Sequence, residues 1–393
     1  MKIAYTNAEL HVGNGISFLG TLITENGRIL ETQEGIPSED LSDTVDQVVD
    51  LSGKIVIPGL VDVHTHGRAG FDFNEASSEE LREMARSYVQ SGVTSLMPTL
   101  ASAPFSELCD AADRIRAAGT KDSEDTDSIR CFMGIHLEGR YLNPEKRGAH
   151  ALELLAPLDS NELATLIPHL GSAFHVSCAL ELDTDGSFLK TVLDAGGTAG
   201  LAHTSASYAD AMNAVTNGAS SFTHTFNAMP PLHHRDGGAV AAAFLSDAYA
   251  ELIVDGIHVS PEMVRLAYRC KGKERLVLIT DSMQATGCCD GVYSIAGLKC
   301  IVRDGKALTE EGKLAGSTLS LIDGMRNLMR FCDISLDEAL PTVTANPAKL
   351  IGAFDRIGTL EKGKYADFLV LPKDFMSGKQ PIERVILTGR EFA

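Results

Sequence analysis

Pro58-Gly59-Leu60-Val61-Asp62-Val63-His64-Thr65-His66-Gly67 is the most informative segment of the chain. A turn pair leads into a short apolar run, and the run ends in two histidines before another glycine. An apolar segment of this length between turn residues suits a buried strand of a parallel sheet. On an extended strand His64 and His66, two residues apart, present both imidazoles to the same side. Working outward, seven similar runs follow, at 94–97, 131–137, 173–179, 198–202, 220–225, 252–255 and 275–280. Helical stretches such as 78–89 and 261–269 lie between them. Eight strand–helix units over about 280 residues predict a (β/α)8 TIM-like barrel, an α/β fold. Periodicity alone also admits a doubly wound open sheet. The residues at the strand ends decide between the two.

Both termini read differently. Segments 3–10, 16–23, 45–51 and 55–57 are strand-like, and Glu25-Asn26-Gly27-Arg28 carries a hairpin signal with Asn-Gly at its centre. Segments 365–371 and 384–388 are strand-like as well, with a turn at 361–364. Neither end is large enough to hold a core alone. The expected organisation is a small β-sandwich domain built from 1–57 and 346–393, flanking a barrel over 58–345.

Composition excludes several function classes. The net charge of −19 repels nucleic acid and anionic lipid, and no basic run offsets it. An anionic substrate therefore has to be met by specific local residues. No stretch reaches about 18 apolar residues, so no membrane partner is expected. The N-terminus turns polar at once and lacks a signal-peptide core. Eight cysteines, irregularly spaced and without a CxxC pair, suit a reduced, cytoplasmic protein.

Ionisable residues gather where the runs end. These are His64 and His66 on the first, Glu138 on the third, His203 on the fifth, His224 on the sixth and Asp281 on the eighth. The C-terminal ends of barrel strands are where such a fold builds its active site. Each residue alone has a plainer reading: a packed strand histidine, or an Asp that caps a helix. Their shared position at one end of the strands favours a metal centre instead. Four imidazoles with two carboxylates suit Zn2+ or Fe2+ better than Mg2+.

The same stretches carry a resemblance. Residues 58–67 resemble the first-strand signature of the amidohydrolase superfamily. The segments His136-Leu137-Glu138-Gly139, 142–150, His224-Thr225-Phe226-Asn227-Ala228-Met229, 255–259, Thr280-Asp281-Ser282-Met283 and 314–319 resemble, in order, the N-acetylglucosamine-6-phosphate deacetylase family. The resemblance implies hydrolysis of the N-acetyl group of N-acetylglucosamine 6-phosphate to glucosamine 6-phosphate and acetate, in amino-sugar catabolism. It implies one or two divalent ions held by Glu138, His203 and His224, with His64 and His66 serving a second ion. Asp281 would be the proton shuttle and His150 would orient the sugar or its acetyl carbonyl. The phosphate would meet the backbone of Asn227 and Ala228 together with Arg235 and His258. A homodimer is expected, because part of such a phosphate site can come from a neighbouring subunit.

The departures cluster around the substrate. Arg140-Tyr141 stands where the family has Pro then an aromatic, which places a cation beside Glu138, either to bind an added anionic group or to face solvent. Ala202 replaces a Gly, and Arg235-Asp236-Gly237-Gly238 replaces Arg-Glu-Pro-Gly. The alternatives kept open are N-acetylgalactosamine 6-phosphate as substrate, or another amide altogether.

Overall fold

The computed structural model describes residues 1–35, 41–119, 130–295 and 297–392. Eight parallel strands pair in chain order: Leu60–Thr65, Val93–Leu100, Ile135–Glu138, Phe174–Cys178, Thr198–Leu201, Ser221–Phe222, Tyr249–Ile253 and Leu276–Ile279. A helix follows each: Ser78–Gln90, Phe105–Ala117, Ser160–Leu170, Ser187–Asp194, Tyr208–Thr216, Gly238–Leu245, Pro261–Arg275 and Leu321–Cys332. The first and eighth strands meet where the Asp281 N–H donates to the His64 carbonyl at 2.9 Å and the His66 N–H to the Ser282 carbonyl at 2.8 Å. That seam closes the sheet into a (β/α)8 barrel and excludes the open doubly wound alternative.

Local sequence explains the layers. In the first helix Leu81, Met84, Ala85, Tyr88 and Val89 recur at helical spacing and are the buried face. Ser77 and Glu80 start it with a capping box, Glu80 Oε2 accepting the Ser77 N–H at 2.7 Å. The strands are buried on both sides, as in Leu276–Ile279, which explains their near-continuous apolar runs. The sixth strand is shorter than its run predicts. It stops at Phe222 because His224 takes a left-handed φ of 32° and Phe226 one of 82°.

The termini join in one eight-stranded sheet. Phe368–Pro372 runs antiparallel to Lys54–Pro58, which ties the C-terminus to the N-terminal half. Strand Lys2–His11 is bulged between Tyr5 and Ala8, where Asn7 has φ 59°. Before the bulge it pairs with Gln47–Asp50, and after it with Lys54–Pro58. The change of partner folds the sheet over its own core of Tyr5, Leu10, Leu22, Val56, Phe368 and Ile386. Asn26 and Gly27, with φ of 50° and 78°, make the expected hairpin turn.

One element was not anticipated. A three-stranded antiparallel sheet, Gly291–Ile295, Leu298–Arg303 and Lys306–Thr309, follows the eighth strand. Its central strand alternates exposed and buried residues rather than forming an apolar run. No helix among the described residues is long and apolar enough to cross a membrane.

Candidate metal centre

Glu138 ends the third strand and sits between two groups of imidazoles. Its Oε2 lies 2.9 Å from His66 Nε2 and 3.3 Å from His64 Nε2. Its Oε1 lies 2.8 Å from His224 Nε2 and 3.3 Å from His203 Nε2. Asp281 closes the first group, with Oδ1 3.4 Å from His66 Nε2 and 3.6 Å from His64 Nε2. All six residues singled out at the strand ends therefore converge, with one carboxylate shared between two half-sites. Asp281 is the most open of them, its side chain 13% exposed against 3% for Glu138.

The backbone is strained at this spot. His203, His224 and Asp281 all have positive φ, at 44°, 32° and 48°. Left-handed conformations cost about 1–3 kcal/mol each in non-glycine residues, and they persist where function demands them. Each of the three lies two residues past its strand's last residue, at Leu201, Phe222 and Ile279, and lines the cavity over the barrel mouth.

The donor set suits a divalent cation. Burial works against charge on His64 and His66, but the carboxylates of Glu138 and Asp281 outweigh it. His64 is held well above its usual pKa and His66 is raised to about 9. Burial likewise opposes ionisation of Glu138, yet the surrounding imidazoles drive its pKa well below the ordinary carboxylate range. The nest thus calls for positive charge, which a divalent cation held by these side chains would supply. The His203 ring is already oriented: its Nδ1 lies 2.7 Å from the Lys146 carbonyl, so Nδ1 carries the hydrogen and Nε2 offers its lone pair. The short helix Pro144–Lys146 supplies that carbonyl. Glu181 braces the same loop, accepting from Asn143 Nδ2 at 2.9 Å, Thr204 Oγ1 at 2.6 Å and the Ser205 N–H at 2.7 Å.

His150 also approaches Glu138, at 3.9 Å, and would complete a triad with Glu138 and His203. Its hydrogen bonds argue for another task. The Arg140 N–H donates to Ser102 Oγ at 2.7 Å, so the Ser102 hydroxyl directs its own proton to His150 Nδ1, 2.9 Å away. The Ser102 N–H points at the same nitrogen at 3.4 Å. Nδ1 is therefore the acceptor, and Nε2 carries the hydrogen. Burial, aided by His203, lowers the His150 pKa to about 3, so the ring is a neutral donor.

A cavity of about 150 Å3 opens over the centre, lined by His66, Glu138, His150, His203, His224 and Asp281 among others. Asn227, Ala228 and His258 line it too, and so does Ile295 of the three-stranded sheet. Around Asn227 the chain turns through positive φ at His224, Phe226 and Ala228, and the turn is closed by the Asn227 N–H donating to the His224 carbonyl at 2.9 Å. His258 Nδ1 lies 2.6 Å from Asp255 Oδ2. Burial opposes its charge, but the bond to Asp255 outweighs burial and raises the His258 pKa. Arg235 stands apart from this group. It is exposed, with Nη1 3.1 Å from His234 Nε2, and it does not line the cavity. Arg140 neither enters the cavity nor faces open solvent. It forms a two-pronged pair with Glu162 at 2.7 and 3.0 Å. A larger cavity of about 700 Å3 lies near the starts of the third and fourth strands, away from these ligands.

Sequence reasoning missed Ser102, Glu181 and Ile295. Ser102 was within reach of the strand-end rule, since it lies just beyond the end of the second strand at Leu100. Glu181, three residues past the end of the fourth strand at Cys178, answers to the same rule, whereas Ile295 carries no local signal.

Comparisons with known proteins agree with this geometry. The amidohydrolase family profile matches residues 55–391. The N-acetylglucosamine-6-phosphate deacetylase of Bacillus subtilis is 34% identical over 352 residues, covering 89% of this chain and 88% of its own. The N-acetylgalactosamine-6-phosphate deacetylase of Escherichia coli O157:H7 is 33% identical, covering 82% and 85%. Among solved structures, the N-acetylglucosamine-6-phosphate deacetylase of Pasteurella multocida superposes with a TM-score of 0.89 at 29% identity, over 100% of this chain and 99% of that one. A D267A mutant of the Mycobacterium smegmatis enzyme, in complex with N-acetyl-D-glucosamine-6-phosphate, superposes with a TM-score of 0.88 at 28% identity, again over 100% and 99%. This chain belongs to the amidohydrolase family, alongside the N-acetylglucosamine-6-phosphate deacetylases that it resembles over nearly its whole length.

Proposed function

We propose that the protein is a metal-dependent deacetylase of N-acetylglucosamine 6-phosphate, releasing acetate and glucosamine 6-phosphate in amino-sugar catabolism. The observation that carries this reading is Glu138 shared between His64–His66 and His203–His224, with Asp281 beside them. In this reading residues 58–345 are the catalytic unit, and 1–57 with 346–393 form the accessory sheet domain. The ions are Zn2+ or Fe2+, one or two per chain, and the protein acts as a cytoplasmic homodimer. The mixed nitrogen and oxygen donors support the metals, and the phosphosugar named for the M. smegmatis complex supports the substrate.

A divalent ion bound here supplies a water of lowered pKa and polarises the acyl oxygen. Asp281 takes the proton as the water oxygen adds to the amide carbon. It then delivers that proton to the sugar nitrogen as the C–N bond breaks, so that a neutral amine leaves. His150 Nε2–H donates to the acetyl oxygen and orients it. The turn at Asn227 and Ala228, with His258, receives the phosphate. Arg235 would join them only after its loop moves or by reaching another subunit's site.

Acetate release from N-acetylglucosamine 6-phosphate by the metal-loaded protein tests the reading. Turnover with kcat/KM above about 10^4 M^-1 s^-1 is expected; none would refute it. A second reading, N-acetylgalactosamine 6-phosphate, draws on the E. coli relative. The ratio of kcat/KM for the two sugars decides between them.

A further inference from the structure

Beneath the metal centre, in the middle of the seventh strand, Glu251 is fully buried at 0% exposure. Neither of its oxygens has a hydrogen-bond partner among the described residues. Two imidazoles face it from other strands. Oε2 lies 3.8 Å from His64 Nδ1, and Oε1 lies 3.8 Å from His175 Nε2. His64 Nδ1 is itself buried and unpartnered. Glycine on the fifth strand allows this crowding, since a Cβ at Gly200 would fall 2.6 Å from Ser221 Oγ and 3.1 Å from His175 Nε2. His175 already has Thr198 Oγ1 at 2.8 Å on Nδ1 and Ser221 Oγ at 3.5 Å on Nε2, and the neighbouring His136 has Thr99 Oγ1 at 3.1 Å and Ser177 Oγ at 2.8 Å, so of the two rings facing Glu251 it is His64 that lacks an acceptor.

A buried carboxylate without donors is expensive, and so is a buried imidazole N–H without an acceptor. The two deficits lie opposite each other. We infer that Glu251 is a positioning residue for His64: its carboxylate receives the Nδ1–H and so turns the Nε2 lone pair to the ion. This rests on the reading of His64, His66, Glu138 and Asp281 as one half of the metal centre. A shift of about 1 Å by either side chain, or one bridging water, completes the bond. His203 has the same support from a different source, the Lys146 carbonyl at 2.7 Å. His203 thus takes its acceptor from a loop backbone, and His64 from an acid inside the barrel.

The test is a zinc titration against a competing chelator of known affinity, which needs no substrate. It compares the wild type with Glu251→Leu, Glu251→Gln, His64→Ala and the His64→Ala/Glu251→Leu double variant. Glu251→Leu is expected to weaken about 10–100-fold the same zinc equivalent that His64→Ala weakens, and to leave the other in place. Glu251→Gln, which keeps an acceptor oxygen, should fall between. In the double variant the Glu251 change should add nothing, because its effect runs through His64. Unchanged zinc affinity in folded Glu251→Leu overturns the inference. Equal loss of both equivalents, additive loss in the double variant, or a wild type whose zinc binding ignores His64→Ala does the same. If the leucine variant fails to fold, the cycle is read on Glu251→Gln. Absence of acetate release would refute the deacetylase reading and leave this titration standing.

Discussion

The Ser102 hydroxyl lies 2.9 Å from His150 Nδ1 while accepting the Arg140 N–H at 2.7 Å. One serine thereby links a backbone turn to the tautomer of a ring over the metal centre. Ser102→Ala frees Nδ1 and lets the ring turn its bare nitrogen to the cavity. A neutral hydrogen bond is worth about 1 kcal/mol, so kcat should fall by about fivefold. Zinc content should stay at the wild-type level. Steady-state kinetics and metal analysis on the same preparation check both.

Asp281 is the proton carrier of the proposed reaction, and its side chain is the most open of the acids at the centre. Asp281→Asn keeps the shape and loses the base. Turnover should drop by about 10^2–10^4-fold, with the melting temperature and the ion at Glu138, His203 and His224 retained. Single-turnover acetate assays measure the loss.

Glu138 touches both imidazole pairs, at 2.9 and 2.8 Å. Glu138→Ala should abolish retention of every ion, whereas loss of His64 should affect one half-site. Chelation of the wild type should lower its melting temperature, because ligand that binds only the native state stabilises it by mass action. Metal analysis with parallel melts reads both effects.

The Asp255–His258 pair makes stability depend on pH. Burial opposes both charges, but their 2.6 Å contact outweighs it, lowering Asp255 and raising His258. The Asp255 contribution is present above the usual value of about 3.9 and lost as pH falls through its lower native value. The His258 contribution is full below about 6.5 and lost as pH rises through its raised native value. The melting-temperature gap between the wild type and His258→Gln should therefore close as pH rises through the raised native value of His258. The KM for the phosphosugar should rise over the same range in the wild type and stay flat in the variant.

Arg140 is a cation beside a metal ligand in sequence only. Its guanidinium is engaged by Glu162, with side chains 17% and 27% exposed. Arg140→Ala should cost about 1 kcal/mol of stability and leave KM unchanged. A rise in KM specific to anionic substrates would return Arg140 to the site.

The strand–helix alternation, the joining of the two ends and the six residues of the centre were legible along the chain. Those follow from local rules, because apolar runs mark buried strands and a barrel gathers what stands at their C-terminal ends. The Asn26-Gly27 hairpin was equally legible, since few residues other than glycine and asparagine accept its left-handed turn. Tertiary structure alone decided that one carboxylate serves two imidazole pairs, that Ser102 sets the His150 tautomer, and that Glu251 and His64 face each other unpaired. It also decided that Arg140 turns to Glu162 and Arg235 away from the cavity. Those pairings join residues far apart in the chain, such as Glu251 and His64. Their distances are set by how the strands pack around the barrel, and no pattern along one segment encodes that packing.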